Sequence, residues 1–344
     1  MESINPSFKK IKKRRNLSTS ELIEGIRLGN RTVLSQAITL LESVRADHKQ
    51  VAQEIIEACL PMSGRSERIG ITGVPGVGKS TFIEAFGEYA CAQGKKVAVL
   101  AVDPSSSITK GSIMGDKTRM EKLAVNDNAF IRPSPAGGNL GGVARTTRET
   151  IILCEAAGFD FIIVETVGVG QSEVAVHALT DFFILLLLPG AGDELQGIKR
   201  GIVEMADLLV VNKADVQPAA AKQARLFYTN ALRFLPPKGS GWSPETVLCS
   251  ALKNEGIDTI FETVKNYITH VNINDYFLNH RREQARFWLH DTVEKKLLTL
   301  FYENPAIKNI LPDIENKILS GEITPFKGAE EIFSIYNFSQ KNSI

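Results

Sequence analysis

Residues 68–94, "RIGITGVPGVGKSTFIEAFGEYACAQG", constrain the fold more than any other stretch. An apolar run ends in the pattern G-x-x-x-x-G-K-S from Gly73 to Ser80, and helical spacing starts at once. Gly73, Gly76 and Gly78 let backbone N–H groups turn inward around phosphate oxygens, with Pro75, Val77 and Thr81 completing the loop. Lys79 adds a cation for the β and γ phosphates, and the Ser80 hydroxyl can ligate magnesium. The helix that follows points its positive end at the same anion. A plain glycine-rich turn is the alternative, and a strand before with a helix after argues against it.

The rest of the chain is organised around that unit. From residue 66 to 270 short apolar runs alternate with helical stretches: "RIGITGV", "KVAVLAVD", "FDFIIVET", "FFILLLLP", "DLLVVNKAD" and "TVLCSA". Near-continuous hydrophobicity is how strands buried on both faces of a parallel sheet read. "AFIRPSP" supplies one more candidate strand. The expectation is an α/β domain with a doubly wound, mostly parallel sheet. A helical arm over 18–65 precedes it, and a helical region over 271–344 follows. Residues 1–17, dense in lysine and arginine, read as a disordered basic tail. In the C-terminal region Pro305, Pro312, Gly321 and Pro325 are expected to break the chain into short helices.

A second motif ends another apolar run. In "VVNKAD", Asn212, Lys213 and Asp215 match N-K-x-D. The aspartate can accept from the N1–H and the N2 amine of guanine. Adenine offers no matching pair of donors, so the wrong base leaves buried polar groups unpaired. "CSALKNEG" adds Ser250 and Ala251, whose backbone can meet the guanine carbonyl. Magnesium asks for hard oxygen ligands. Beyond Ser80 the candidates are Asp103, Asp116 and Glu165. Asp103 and Glu165 stand at the carboxyl ends of expected strands, where ligands of open α/β sheets bind. A helix cap is the alternative role for each. GTP or GDP with Mg2+ is therefore the expected ligand set.

Composition enters as exclusion. Lys+Arg 40 against Asp+Glu 39 leaves a net charge of +1, which offers no basic surface for nucleic acid. The longest strongly apolar run, Phe182–Leu188, falls far short of the roughly 18 residues a membrane span needs. The N-terminus has no apolar signal core. Cys59, Cys91, Cys154 and Cys249 lie scattered in apolar surroundings and read as reduced core thiols, which points to the cytoplasm.

Glutamate at position 165, where many GTPases carry the aspartate of D-x-x-G, gives the pattern its particular character. "GVPGVGKST", "AVDPSS", "GDKTRM", "VETVGVGQSE" and "NKAD", in that order, resemble the methylmalonyl-CoA mutase-associated GTPase family, called MeaB in bacteria and ArgK in older usage. That family sits in the metallocentre-assembly division of P-loop GTPases. The resemblance implies a GTP-driven chaperone that gates adenosylcobalamin loading and protects a B12-dependent acyl-CoA mutase, with methylmalonyl-CoA mutase the first candidate. It also implies a homodimer built through C-terminal helices, and it admits an adenosyltransferase as a further partner. Catalytic and switch roles fall on Lys79, Asp103, Asp116 and Glu165, and on Lys199 in the loop "PGAGDELQGIK".

In Ras-like enzymes a glutamine directly after D-x-x-G orients the attacking water. Here Val169 follows Gly168, and Gln171 lies two positions further on, so slow unaided hydrolysis is expected. A nickel-insertion GTPase of the same division would carry a histidine-rich segment or metal-binding cysteines, and the sequence has neither. The alternative function is a nucleotide-dependent kinase of a lysine/arginine/ornithine transport system. The sequence supplies no recognisable phosphoacceptor site for it. A scaffold that binds GTP without useful turnover is a third reading, against which Lys79, Ser80 and Glu165 stand.

Overall fold

The N-terminal arm forms because each helix carries its own start signal. Ser18 and Glu21 close a reciprocal capping box on α1 (Thr19–Arg27), and the Asn30 side chain accepts from Thr32 and Val33 at the start of α2 (Arg31–Leu41). With α3 (Ala46–Cys59) they bury Leu22, Ile26, Leu34, Ile38 and Ile55. The computed structural model describes residues 17–43, 45–102, 120–133, 140–166, 172–190 and 200–341. Arg31 fastens the arm, donating to the carbonyls of Asn126 at 2.9 Å and Ala129 at 2.8 Å. Arg132 pairs with Glu42 nearby.

Every expected apolar run becomes a strand, "AFIRPSP" included. The strands are β1 (Glu67–Gly73), β2 (Val97–Val102), β3 (Ala129–Arg132), β4 (Phe161–Thr166), β5 (Phe182–Leu187), β6 (Leu208–Val211) and β7 (Glu245–Leu248). They form one sheet in the order β3-β2-β4-β1-β5-β6-β7, and all pairs are parallel. β2, β5 and β6 are buried along their whole lengths, hence their unbroken apolar sequences; β4 is as deeply buried, apolar from Phe161 to Val164 and closed by Glu165 and Thr166. The crossovers use α4 (Lys79–Ala92), α5 (Glu121–Val125), α6 (Leu140–Ala156), α7 (Ser172–His177), α8 (Arg200–Met205) and α9 (Pro218–Leu232), and α10 (Ile257–Ile273) follows β7. Phe86 packs on Phe82, Phe161 and Phe261 with ring centroids 5.5–6.3 Å apart, so the helix behind the glycine loop is seated on the sheet. Burying a side chain of that size contributes about 1.5–3 kcal/mol.

The chain divides into two compact units, one through Leu278 and one from Asn279. The second holds most of α11 (Tyr276–Glu303) together with α12 (Pro305–Leu319) and α13 (Pro325–Lys341). Gly328 brings α13 against α12, since a Cβ there would lie 2.9 Å from Ile314 Cγ2. Phe301 meets Phe333 and Tyr336. Pro305 and Pro325 stand at helix starts, where the missing N–H has no helical partner to lose. Pro312 corrects the sequence expectation: it lies inside α12 and does not end it. Ile307 and Ile314, buried on either side, keep both halves of the helix packed despite the lost bond to Lys308.

Candidate nucleotide site

β1 ends at the centre of the sheet, between β4 and β5. Gly73 lies so close to β5 that a Cβ would stand 2.7 Å from the Leu186 carbonyl. The loop from there to Ser80 turns through Gly76 (φ 80°) and Gly78 (φ 93°), the latter the N-cap of α4. Val77 points the other way and is fully buried in the core, while Pro75 is exposed. The loop is thus anchored by one apolar side chain and left open along its backbone. Ser80 and Thr81 follow in the first turn of α4.

Lys79 bends back and donates from Nζ to the Gly73 carbonyl at 2.8 Å, spanning the loop it closes. Burial pushes its ammonium pKa below the ordinary lysine range, and the carboxylates of Glu165 and Glu173 partly offset that. Glu165 is 5% exposed at the end of β4. Glu173, completely buried in the first turn of α7, closes the stretch "VETVGVGQSE" but was not legible as a site residue. An acid in a first helical turn reads as an ordinary dipole partner. Just past Glu165, the Thr166 hydroxyl meets that of Thr72 at 2.8 Å.

The base-side motif closes onto the phosphate loop. The Asn212 carboxamide, 2% exposed, donates to the Val77 carbonyl at 2.9 Å and accepts from the Ala251 N–H at 3.1 Å. Lys213 takes a left-handed backbone (φ 58°) and donates from Nζ to the Gly76 carbonyl at 2.8 Å. Asp215 lies beyond, with Lys253 Nζ 3.7 Å from its carboxylate. The Ser250 hydroxyl faces the Asp215 carboxyl and is the main influence holding it below its ordinary range, with Lys253 adding to it. The loop carrying Ser250 and Ala251 is pinned by Gly256, whose Cβ would stand 2.5 Å from the Leu248 carbonyl.

The structure therefore brings together Gly73, Gly76, Val77, Gly78, Lys79, Asn212, Lys213 and Ala251, with Glu165 acting on Lys79. Asp103, Asp116 and Lys199 lie outside the described residues, as do Val169 and Gln171. Among the described residues no three His, Cys, Asp or Glu side chains cluster as a metal site. Ser80 and Glu165 fit Mg2+ by chemistry, as hard oxygen donors at the mouth of the phosphate loop. All four cysteines are buried and free, and burial pushes their thiols up. No helix among the described residues is long and apolar enough to cross a membrane.

A parallel sheet with a phosphate loop at its central strand, strapped to N-K-x-D two strands away, is the architecture of a P-loop GTPase. The chain belongs to one family of them: residues 34–306 match the family described as "Methylmalonyl Co-A mutase-associated GTPase MeaB". Similar proteins agree. "GTPase ArgK" of Escherichia coli K12 is 46% identical over 314 residues, covering 91% of this chain and 95% of that protein. "Methylmalonic aciduria type A homolog, mitochondrial" of Mus musculus is 42% identical over 328 residues, covering 92% and 79%. A solved structure described as "LAO/AO transport system kinase" superposes with a TM-score of 0.77 at 35% identity, covering 94% of this chain and all of that one. The chain is a GTPase of this family.

Proposed function

We propose that this GTPase is a chaperone that gates adenosylcobalamin loading of a B12-dependent acyl-CoA mutase, methylmalonyl-CoA mutase first, and protects that enzyme. The carrying observation is a strapped nucleotide site in a chain whose family is described by its association with the mutase. In this reading the backbone of Gly73, Pro75, Gly76, Val77 and Gly78 wraps the phosphates. Lys79 exchanges its Gly73 carbonyl for a phosphate oxygen, trading a neutral acceptor for an anionic one. Asp215 reads the guanine edge, with Ser250 and Ala251 beside it. Asn212 uses Oδ1 and one N–H on the protein, so its first task is to hold the two halves of the site together.

Ser80 and Glu165 would hold Mg2+, with Asp103 and Asp116 as further ligands, and the ion would neutralise phosphate charge there. Glu165 and Glu173 favour the charged form of Lys79 against its burial, keeping it ready for the phosphates. Hydrolysis without a partner is slow, because Val169 cannot orient water. The mutase then orders the catalytic loops, with Lys199 in the coupling loop. α11 supports a homodimer: Phe287, Leu289, Val293, Leu297 and Leu298 are all exposed on it.

The test is cofactor delivery. Apo-mutase with the GTPase and adenosylcobalamin should load in a manner that depends on GTP hydrolysis, differing between GTP and a non-hydrolysable analogue. Identical loading with either nucleotide, or without the GTPase, would count against the proposal. The description of the similar solved structure keeps a transport-system kinase as the second reading. That reading requires the GTP γ-phosphate to appear on protein rather than as free phosphate.

A further inference from the structure

β1 and β4 run side by side at the centre of the sheet, and each ends at a motif. β1 enters the phosphate loop at Gly73, and β4 delivers Glu165. Beside those endings stand Thr72 and Thr166, 1% and 0% exposed, with their hydroxyls 2.8 Å apart. The register pairs Ile71 with Glu165, so Thr72 and Thr166 are next in step. Side chains alternate along a strand, and the hydroxyl pair therefore lies on the sheet face opposite Glu165. Glu165 shares its face with Ile71, which packs in one cluster with Phe82 and Phe86 of α4.

The register places Gly70, Val164, Leu100, Val102, Phe183 and Leu185 on the same face beside the two threonines, none with a polar side chain; Arg68 lies further down β1 on that face, and the Thr180 hydroxyl by Gly70 donates to the Val176 carbonyl. Two valines would fill the space of the two threonines. Replacing both partners of a buried hydrogen bond by apolar groups of the same shape is close to neutral for stability. Stability alone therefore gives no reason for hydroxyls at this point. What a hydrogen bond adds is geometry: it tolerates only a narrow range of distance and angle, whereas apolar contacts slide. Here that constraint falls one peptide bond from Gly73 and one from Glu165.

We infer that Thr72 and Thr166 are a positioning pair, which fixes the end of β4 against the phosphate loop and so sets where the Glu165 carboxylate stands. Neither threonine touches the nucleotide. Their effect passes through Glu165 to the affinity of the nucleotide site for Mg2+, for which Ser80 and Glu165 supply oxygen donors. The inference rests on the GTPase reading and not on the mutase, so failure of the mutase experiments leaves it standing.

The experiment uses the full chain, a fluorescent GDP and Mg2+ as probes. Thr72→Val and Thr166→Val each strand one buried hydroxyl and should lower the melting temperature, while the double variant should melt with the wild type. Slowing of GDP release by Mg2+ reports the metal without requiring turnover. In the double variant the Mg2+ concentration for half-maximal slowing should rise by roughly tenfold, with turnover down on the order of tenfold to a hundredfold. GDP affinity in the absence of Mg2+ should not change. Thr166→Ser keeps the hydroxyl and should keep the wild-type Mg2+ dependence. A stable double variant with wild-type Mg2+ dependence would make the pair structural only and overturn the inference. If the double variant does not fold, Thr166→Ser and Thr166→Val decide between themselves, and equal Mg2+ dependence in those two overturns it as well.

Discussion

Asn212 donates from Nδ2 to the Val77 carbonyl at 2.9 Å, fastening the base-side loop to the phosphate loop. Its Oδ1 accepts from Ala251, so one buried side chain joins three segments that are far apart in sequence. Asn212→Ala should leave the Ala251 N–H buried and unpaired and cost about 1–3 kcal/mol. Denaturant unfolding should show that loss, and GTP and GDP binding should weaken together. Loss of affinity for one nucleotide alone would mean that Asn212 acts on the phosphate rather than on the frame of the site.

Gly78 is closed to side chains twice over. Its φ of 93° is left-handed, and a Cβ would stand 3.1 Å from Asn212 Nδ2. Gly78→Ala should displace the strap and abolish nucleotide binding, with helix content retained in circular dichroism. Wild-type affinity for GTP in that variant would show that the strap yields without cost to the site.

Asp215 carries the prediction on base choice. Asp215→Asn should weaken GTP binding and favour xanthine nucleotides, because an amide can donate to the xanthine carbonyl. Competition binding with GTP and XTP measures both. The pH dependence follows from the same carboxylate, whose folded pKa is held down chiefly by Ser250. A depressed acid stays ionised above the ordinary carboxylate value and loses its charge only as pH falls through the lower folded one. The Asp215 contribution to GTP affinity, taken as wild type against Asp215→Asn at each pH, should therefore stay flat from neutral pH down to about pH 5, above the ordinary range near 4. A midpoint above that would show that Asp215 is not held ionised.

Lys79→Ala should abolish GTP turnover and still fold. Lys79 gives its Nζ to one loop carbonyl and lies outside the aromatic cluster that seats α4. Single-turnover hydrolysis and a melting curve separate the two effects. Loss of cooperative unfolding would instead make the lysine part of the frame.

Much of this was legible in the sequence because the physics was local. Strands buried on both faces are nearly continuous apolar runs, so "FIIV" ahead of Glu165 and "FFILLL" announce themselves. Gly73, Gly76 and Gly78 are needed wherever a backbone must turn around an anion. Pro312 was misread because a local rule met a nonlocal one: packing of Ile307 and Ile314 outweighs one missing hydrogen bond. Asn212 reads in the sequence only as the first residue of N-K-x-D, and only the folded chain shows its carboxamide engaged on Val77 and Ala251. Glu173 and Thr166 lie inside "VETVGVGQSE" and Thr72 just before the glycine loop, yet nothing local marks their roles, because their partners come from other segments. The exposed apolar residues of α11 follow no single helical stripe, so periodicity alone does not mark which of them a core leaves uncovered.

The proposal as a whole stands on the link between this nucleotide site and a B12-dependent mutase. GTP turnover by the purified protein, with and without purified methylmalonyl-CoA mutase, tests that link most directly. Ordering of a charge-stabilising group in a GTPase site is worth on the order of a thousandfold. Hydrolysis should be slow alone and clearly accelerated by the mutase, with phosphate released to water. Unchanged turnover in the presence of methylmalonyl-CoA mutase and every other B12-dependent acyl-CoA mutase tried would contradict it.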